Sequence, residues 1–180
     1  MKKGIIIGLL FTCIFASSAR VMTYNLLNYD DDNSRETYFI TIINFVNPNI
    51  IVAEEVQSQT GYSHFKSDVL DVANPNEWSG ATFTNQSASQ DIALYYQHDL
   101  FTFISTSTIN TAQSSGTRDV VEWVMMHNDS EIEFRIYGVH LKASSGDENA
   151  QQRLAETTIL RDYLNTLPAG SEFIVAGDFN

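Results

Sequence analysis

The chain has 180 residues, 43% of them hydrophobic, and carries 10 lysines and arginines against 22 aspartates and glutamates, a formal net charge of −12. That is enough apolar material for one packed domain and too much for a disordered chain. So acidic a surface repels polyanions in general, so any handling of nucleic acid must rest on metal ions and a few local arginines rather than on bulk charge.

The first 19 residues, "MKKGIIIGLLFTCIFASSA", stand apart. Lys2 and Lys3 precede a mostly apolar run from Gly4 to Phe15, and small residues follow, with Ser17 and Ala19 where a signal peptidase reads. This is the three-part layout of a secretory signal, with cleavage expected after Ala19 and a secreted, extracellular or periplasmic destination. The run is too short to span a hydrocarbon core of about 30 Å, so no stable membrane insertion is expected after cleavage. Cys13 lies inside the run behind Thr12, which does not suit a lipid-modified cysteine. Cleavage removes that single cysteine together with Lys2 and Lys3, leaving residues 20–180 without a disulfide and with the charge moved from −12 to −14.

Residues 20–180 read as one continuous domain, with no repeat, low-complexity tract or linker. "RVMTYNLLNY" (20–29) predicts a strand ending near Asn25. "DDDNS" is a turn, and Ser34 is placed to cap a helix "RETYFITIINFV", whose Phe39, Ile42, Ile43 and Val46 fall at helical spacing before Pro48 stops it. "NIIVAEEV" (49–56) predicts a short buried strand ending in two glutamates. "SHFKSDVLDV" reads as a short helix and "NPNEWSG" as a loop. "IALYYQ" (92–97) and "FTFISTSTI" (101–109) predict two strands joined at His98 and Asp99; "RDVVEWVMMH" and "EIEFRIYGVHLK" predict two more joined at "NDS". A long helix follows, with Asp147 as its cap, Ala150, Leu154, Thr157, Ile159, Leu160, Leu164 and Leu167 as its apolar face, and Pro168 and Gly170 closing it. "EFIVAGDFN" predicts the last strand. The order, β-α-β, several β, then α-β, is a mixed α/β layout with helices covering a sheet.

Four apolar strands end in polar residues. They deliver Asn25; Glu54 and Glu55; His140; and Asp178 with Asn180. Apolar interiors make such strands central, and ligands gather beyond the carboxyl ends of central strands. Side-chain alternation assigns Glu55 to the site and makes Glu54 its outward neighbour. Carboxylate and amide oxygens favour a hard cation, Mg²⁺, Mn²⁺ or Ca²⁺, and one histidine without cysteine argues against tetrahedral zinc. A hard cation beside a histidine and an aspartate suits phosphate-ester hydrolysis: the cation neutralises phosphoryl charge, His140 hydrogen-bonds the phosphoryl group, and the carboxylate orients or deprotonates water. No G-x-S-x-G turn is present for a serine hydrolase.

The segments "TYN", "IIVAEEV", "YGVHLKA" and "IVAGDFN", in this order, resemble the endonuclease/exonuclease/phosphatase (DNase I-like) superfamily, and secreted bacterial nuclease-like members in particular. The resemblance covers residues 20–180. It implies a four-layer α-β-β-α sandwich and metal-dependent hydrolysis of phosphate esters. By motif position it implies Glu55 as metal ligand, with Asn25 beside it holding metal or a carboxylate. It implies His140 on the scissile phosphate, Asp178 orienting or activating water, and Asn180 on a phosphate oxygen. Arg118 stands where nuclease members carry a phosphate-contacting arginine; His64, His98 and His127 match no motif. The pattern departs at Glu54, where the family often has Gln, and at Asn49, where many members have Asp. Family members also continue past "GDFN" with a further metal-site Asp and a late "SDH"-like segment, so the sequence is expected to be incomplete at its C-terminal side and inactive as it stands. The expected activity is that of a secreted phosphodiesterase, a nuclease acting on DNA first of all. A phospholipid or small phosphate ester is the alternative substrate, and a non-catalytic secreted binding module the alternative role.

Overall fold

A computed structural model describes residues 18–31, 34–86, 89–114 and 116–180. The expected export signal lies outside the described residues except for Ser18 and Ala19. Among the described residues, eight strands form two four-stranded sheets. The first has the order β1-β2-β4-β3 and the second β5-β6-β7-β8. Their strands are β1 Val21–Tyr29, β2 Ile50–Val56, β3 Trp78–Gly80, β4 Asp91–Gln97, β5 Phe101–Ile109, β6 Val120–His127, β7 Ile132–His140 and β8 Phe173–Asp178. Helices are α1 Glu36–Val46, α2 Gln59–His64, α3 Asp71–Ala73 and α4 Asp147–Leu164, with a π-helical turn Phe65–Leu70 joining α2 to α3. No described helix is long and apolar enough to cross a membrane.

The layers follow from strands that are apolar on both faces. In β2, Ile50 and Val52 point toward the second sheet, where Trp123, Met125 and Ile136 meet them. Ile51 and Ala53 point the other way, onto Phe39 and Ile43 of α1 and Phe65 of the π turn. On the far side, Tyr137 and Val139 of β7 pack under Leu160 and Leu164 of α4. The result is helix, sheet, sheet, helix, and each fully buried large apolar side chain in it adds about 1.5–3 kcal/mol. Gly138 lets the two sheets close up: a Cβ there would lie 2.5 Å from the Trp123 ring and 3.0 Å from Ile92.

Several sequence expectations change. Part of the expected loop "NPNEWSG" is the edge strand β3, too short for a periodic pattern but paired with β4 at Trp78–Gln97. The cap position of α1 is Arg35, without a side-chain cap bond, rather than Ser34. Gly146 holds the cap position of α4, so Asp147 sits in the first turn, where with Glu148 it favours the helix dipole. Leu154 is exposed rather than part of the α4 apolar face. Glu156 is buried there instead, and it accepts the Lys142 N–H at 3.0 Å. Strand β1 also runs past Asn25 to Tyr29, but through a kink that proves central to the site.

Candidate active site

Strands β7 and β8 are parallel and in register, pairing Gly138 with Ala176 and His140 with Asp178. Residues two apart share a face, so His140 and Asp178 both follow Ile136 and Ala176 toward the space between the sheets. The glycine before Asp178 is obligatory. Gly177 has φ +141°, and a Cβ there would lie 1.9 Å from the Val139 carbonyl oxygen. After the strand, Asn180 (φ +55°) folds back: its N–H donates to Asp178 Oδ1 at 2.9 Å and its Nδ2 to the Leu141 carbonyl at 3.0 Å.

Across the rim, β1 and β2 are parallel and pair Asn25 with Glu54; the next pair is Tyr29 with Val56. Between these pairs β1 uses four steps and β2 two. The slack is taken up by left-handed residues, Leu27 (φ +51°), Asn28 (φ +54°) and Glu55 (φ +62°). Plain alternation would send Glu55 to the helix side of its sheet. Its left-handed backbone turns the carboxylate toward Asn25 instead.

Asn25 joins the two halves. Its Nδ2 donates to Glu55 Oε1 at 3.0 Å and to Asp178 Oδ2 at 3.1 Å, while its Oδ1 accepts the Leu27 N–H at 2.9 Å. Glu55 Oε2 accepts the Asn28 N–H at 3.0 Å and Gln90 Nε2 at 3.3 Å. Arg118 is buried and reaches the same group: Nη2 donates to Gln90 Oε1 at 2.6 Å and Nε to the Ser89 carbonyl at 3.3 Å. The structure thus brings Asn25, Glu55, Arg118, His140, Asp178 and Asn180 to one rim. Gln90 and Asn28 join them; neither has a sequence signal, since Gln90 lies just before β4 and Asn28 lies in β1 where its register breaks.

Glu54 departs from the expectation of an outward residue. It is 1% exposed, faces the inter-sheet space, and accepts the Thr23 hydroxyl at 2.7 Å. Burial pushes its carboxyl up to about 7, the Thr23 hydrogen bond opposing the rise and Asp178 and Glu55 adding to it. Asp91, also fully buried, is raised by burial to about 6, against the Gln86 N–H and Arg118, which pull it down. His140 is lowered from its usual range, first by burial and then by Arg118, with Asp178 and Glu55 opposing, so it is neutral near pH 7. Its Nδ1 is buried and has no hydrogen-bond partner among the described residues. Burial also lowers Arg118, which the surrounding Glu55, Asp91, Glu156 and Asp178 offset.

These donors fit a hard divalent cation in one mode. Two carboxylates, Glu55 and Asp178, converge on the Asn25 amide nitrogen, and both act electrostatically on the Arg118 guanidinium. Among the described residues no group of three or more His, Cys, Asp and Glu is assembled for a metal. Mg²⁺ is commonly held through one or two carboxylates, keeping waters and taking substrate phosphate oxygens for the rest. A cavity of about 510 Å³ lies at the other end of the sheets, among the first residues of β1, β2, β7 and β8 (Val21, Ile50, Ile132, Phe173). Its lining is mainly apolar and includes His127. His98, exposed, contacts Ser79, and neither histidine belongs to the rim.

No protein-family model and no curated protein sequence matches the chain. Solved structures do match it. TDP2 of D. rerio complexed with a single-stranded DNA product superposes with a TM-score of 0.69 at 12% identity, covering 90% of this chain and 60% of that one. A mannosyl-6-phosphatase of Bacteroides thetaiotaomicron gives 0.64 at 16% identity, covering 91% and 66%. An endonuclease/exonuclease/phosphatase family protein of the same organism gives 0.65 at 15% identity, covering 91% and 64%. The chain spans 60–66% of the length of these structures. With two packed sheets flanked by helices and its strands ending at one polar rim, the chain has the fold of the endonuclease/exonuclease/phosphatase (DNase I-like) superfamily.

Proposed function

We propose that the protein carrying this chain is a divalent-metal-dependent phosphoesterase, hydrolysing phosphodiester bonds of nucleic acid at the rim just described. The observation that carries this reading is the single Asn25 amide donating to Glu55 and Asp178 while His140 stands in register beside Asp178. Glu55 would hold the cation, with Asn25 fixing the carboxylate; when bound, the cation supplies neutralisation of charge on the phosphoryl oxygens. Neutral His140 donates a hydrogen bond to a phosphoryl oxygen, which carries more charge in the transition state. Asp178 has one donor on each oxygen and keeps lone pairs free to orient the attacking water. Arg118 and Asn180 supply N–H groups to the phosphate. The "MKKGIIIGLLFTCIFASSA" leader supports export, which N-terminal sequencing of protein recovered from the medium or periplasm would test.

The decisive experiment measures Mg²⁺-dependent cleavage of a DNA oligonucleotide by the whole protein. His140→Ala and Asp178→Asn each lower the rate by about 10²–10⁴-fold. Undiminished cleavage in both variants would refute the assignment. A second reading, a small phosphate ester as substrate, draws on the net charge of −12 and on the few cations that the described residues bring to the rim, Arg118 through Gln90 and Arg35 behind the β1 kink. A nucleic-acid site relying on many phosphate contacts needs more cations than that. Faster turnover of a sugar phosphate than of the oligonucleotide would decide for it.

A further inference from the structure

Gln90 makes more connections at the rim than any role above requires. Its side-chain amide has two ends. The oxygen accepts Arg118 Nη2 at 2.6 Å. The nitrogen donates to Glu55 Oε2 at 3.3 Å and to the side-chain oxygen of Asn28, which Gln57 Nε2 also reaches at 2.8 Å. The Gln90 backbone meanwhile sits beside the His140 ring. One residue therefore touches a carboxylate, a guanidinium and an imidazole from three different strands or loops.

The backbone shows what holds Gln90 in this position. It adopts φ +72°, a left-handed conformation that costs a non-glycine residue about 1–2 kcal/mol. Glycine would take that conformation without strain, and asparagine more readily than glutamine. A long amide at a strained position, with both ends used, is the mark of a side chain retained for its reach. Its polarity is also matched to its neighbours. An amide is the smallest planar group that accepts from a cation on one side and donates to an anion on the other without adding charge. A carboxylate there would repel Glu55, and an apolar side chain would leave the buried Arg118 short of an acceptor.

We infer that Gln90 is a positioning residue that locks the Glu55 carboxylate and the Arg118 guanidinium into one frame, so that the cation site and the phosphate site keep a fixed separation. This rests on the functional reading above. It acts through Glu55 and Arg118 and needs no contact with substrate.

The test uses two variants and a readout independent of turnover. Gln90→Gly removes the amide while relieving the left-handed backbone. Gln90→Asn keeps an amide and tolerates that backbone, but is one methylene too short to bridge. Binding of Mn²⁺ alone is titrated by calorimetry, without substrate, beside thermal melting of the metal-free protein. Both variants are expected to bind Mn²⁺ about 10–100-fold more weakly, as when other residues supporting a metal ligand are lost, with the metal-free melting temperature moved by no more than about 4 °C, because in Gln90→Gly relief of the left-handed backbone offsets the acceptor lost to Arg118. Wild-type affinity in either variant would overturn the bridge, and a large fall in metal-free melting would show a merely structural role. If the wild-type protein itself takes up no Mn²⁺, the metal-dependent reading fails first and this inference with it.

Discussion

The two halves of the rim hold their side chains by opposite means. On the β7–β8 side the strands stay regular, His140 and Asp178 are paired in register, and the unusual backbone within the strands belongs to a glycine, Gly177, with Asn180 turning left-handed only after β8 has ended. On the β1–β2 side the ladder breaks, and three non-glycine residues, Leu27, Asn28 and Glu55, adopt left-handed angles to bring one carboxylate into place. The first half is aimed by sheet geometry and packing. The second is aimed by local strain, held down by hydrogen bonds from Asn25, Asn28 and Gln90. A regular half tolerates little backbone change, whereas a strained half should tolerate relief.

The largest expected effect breaks the regular half. Gly177→Ala forces a methyl group against the Val139 carbonyl at a φ that L residues avoid, at a cost of about 3 kcal/mol or more. In a domain of this size that lowers the melting temperature by roughly 6–12 °C. A melting temperature within 2 °C of wild type, on the order of one kcal/mol or less, would show that β8 does not need its close approach to β7.

A middle-sized effect concerns Asp91, which pairs with Val56 just beyond the kink and lies under Arg118. Burial raises its carboxyl to about 6. Between the ordinary aspartate value near 4 and pH 6 the folded protein keeps a proton that the unfolded chain has released, so stability falls as pH rises through that window and stays lower above it. Asp91→Asn removes this loss and should be more stable above pH 6 by up to about 3 kcal/mol, at 1.4 kcal/mol per unit, and equal to wild type below pH 4. Urea unfolding across pH 4–8 measures it. Parallel pH profiles for the two proteins would mean that Asp91 stays ionised against Arg118.

The smallest effect sharpens the contrast. Leu27 is exposed and left-handed, so Leu27→Gly should leave stability unchanged or raise it by about 1 kcal/mol, as urea unfolding would measure. A clear loss of stability would show that the kink is held by the leucine side chain rather than merely tolerated.

This contrast also explains how much the sequence disclosed. Apolar runs ending in Asn25, His140, Asp178 and Asn180 were legible because regular strands put successive side chains on alternating faces and stop at polar residues. The same rule assigned Glu54 to the outside and failed. Glu54 is buried between the sheets because alternation continues through it, and Glu55 joins the site because alternation ends there. No composition or period announces a left-handed glutamate. Gln90 was invisible for a related reason: it lies just before a strand, and its role comes from contacts with residues 28, 55 and 118, distant in sequence. The edge strand at Trp78 has three residues, too few to show a period. The cap of α4 was misread because Gly146, not Asp147, turns the chain into the helix.

The contact between Gly138 and Trp123 has a consequence for the chemistry. The halves of the rim belong to different sheets, and Asn25 to Asp178 is a hydrogen bond that ties one to the other there. Deeper in, Trp123 and Gly138 are neighbours on adjacent strands of one sheet, and the indole, lying over the bare glycine two positions before His140, packs in one cluster with Ile50, Val52 and Ile92 of the other sheet. The sandwich therefore works like a pair of callipers whose jaws are the two halves of the site and whose stop is a tryptophan in the core. Enlarging or shrinking that stop would alter the jaw opening without touching any residue of the rim, so the geometry of the rim is open to changes in core volume.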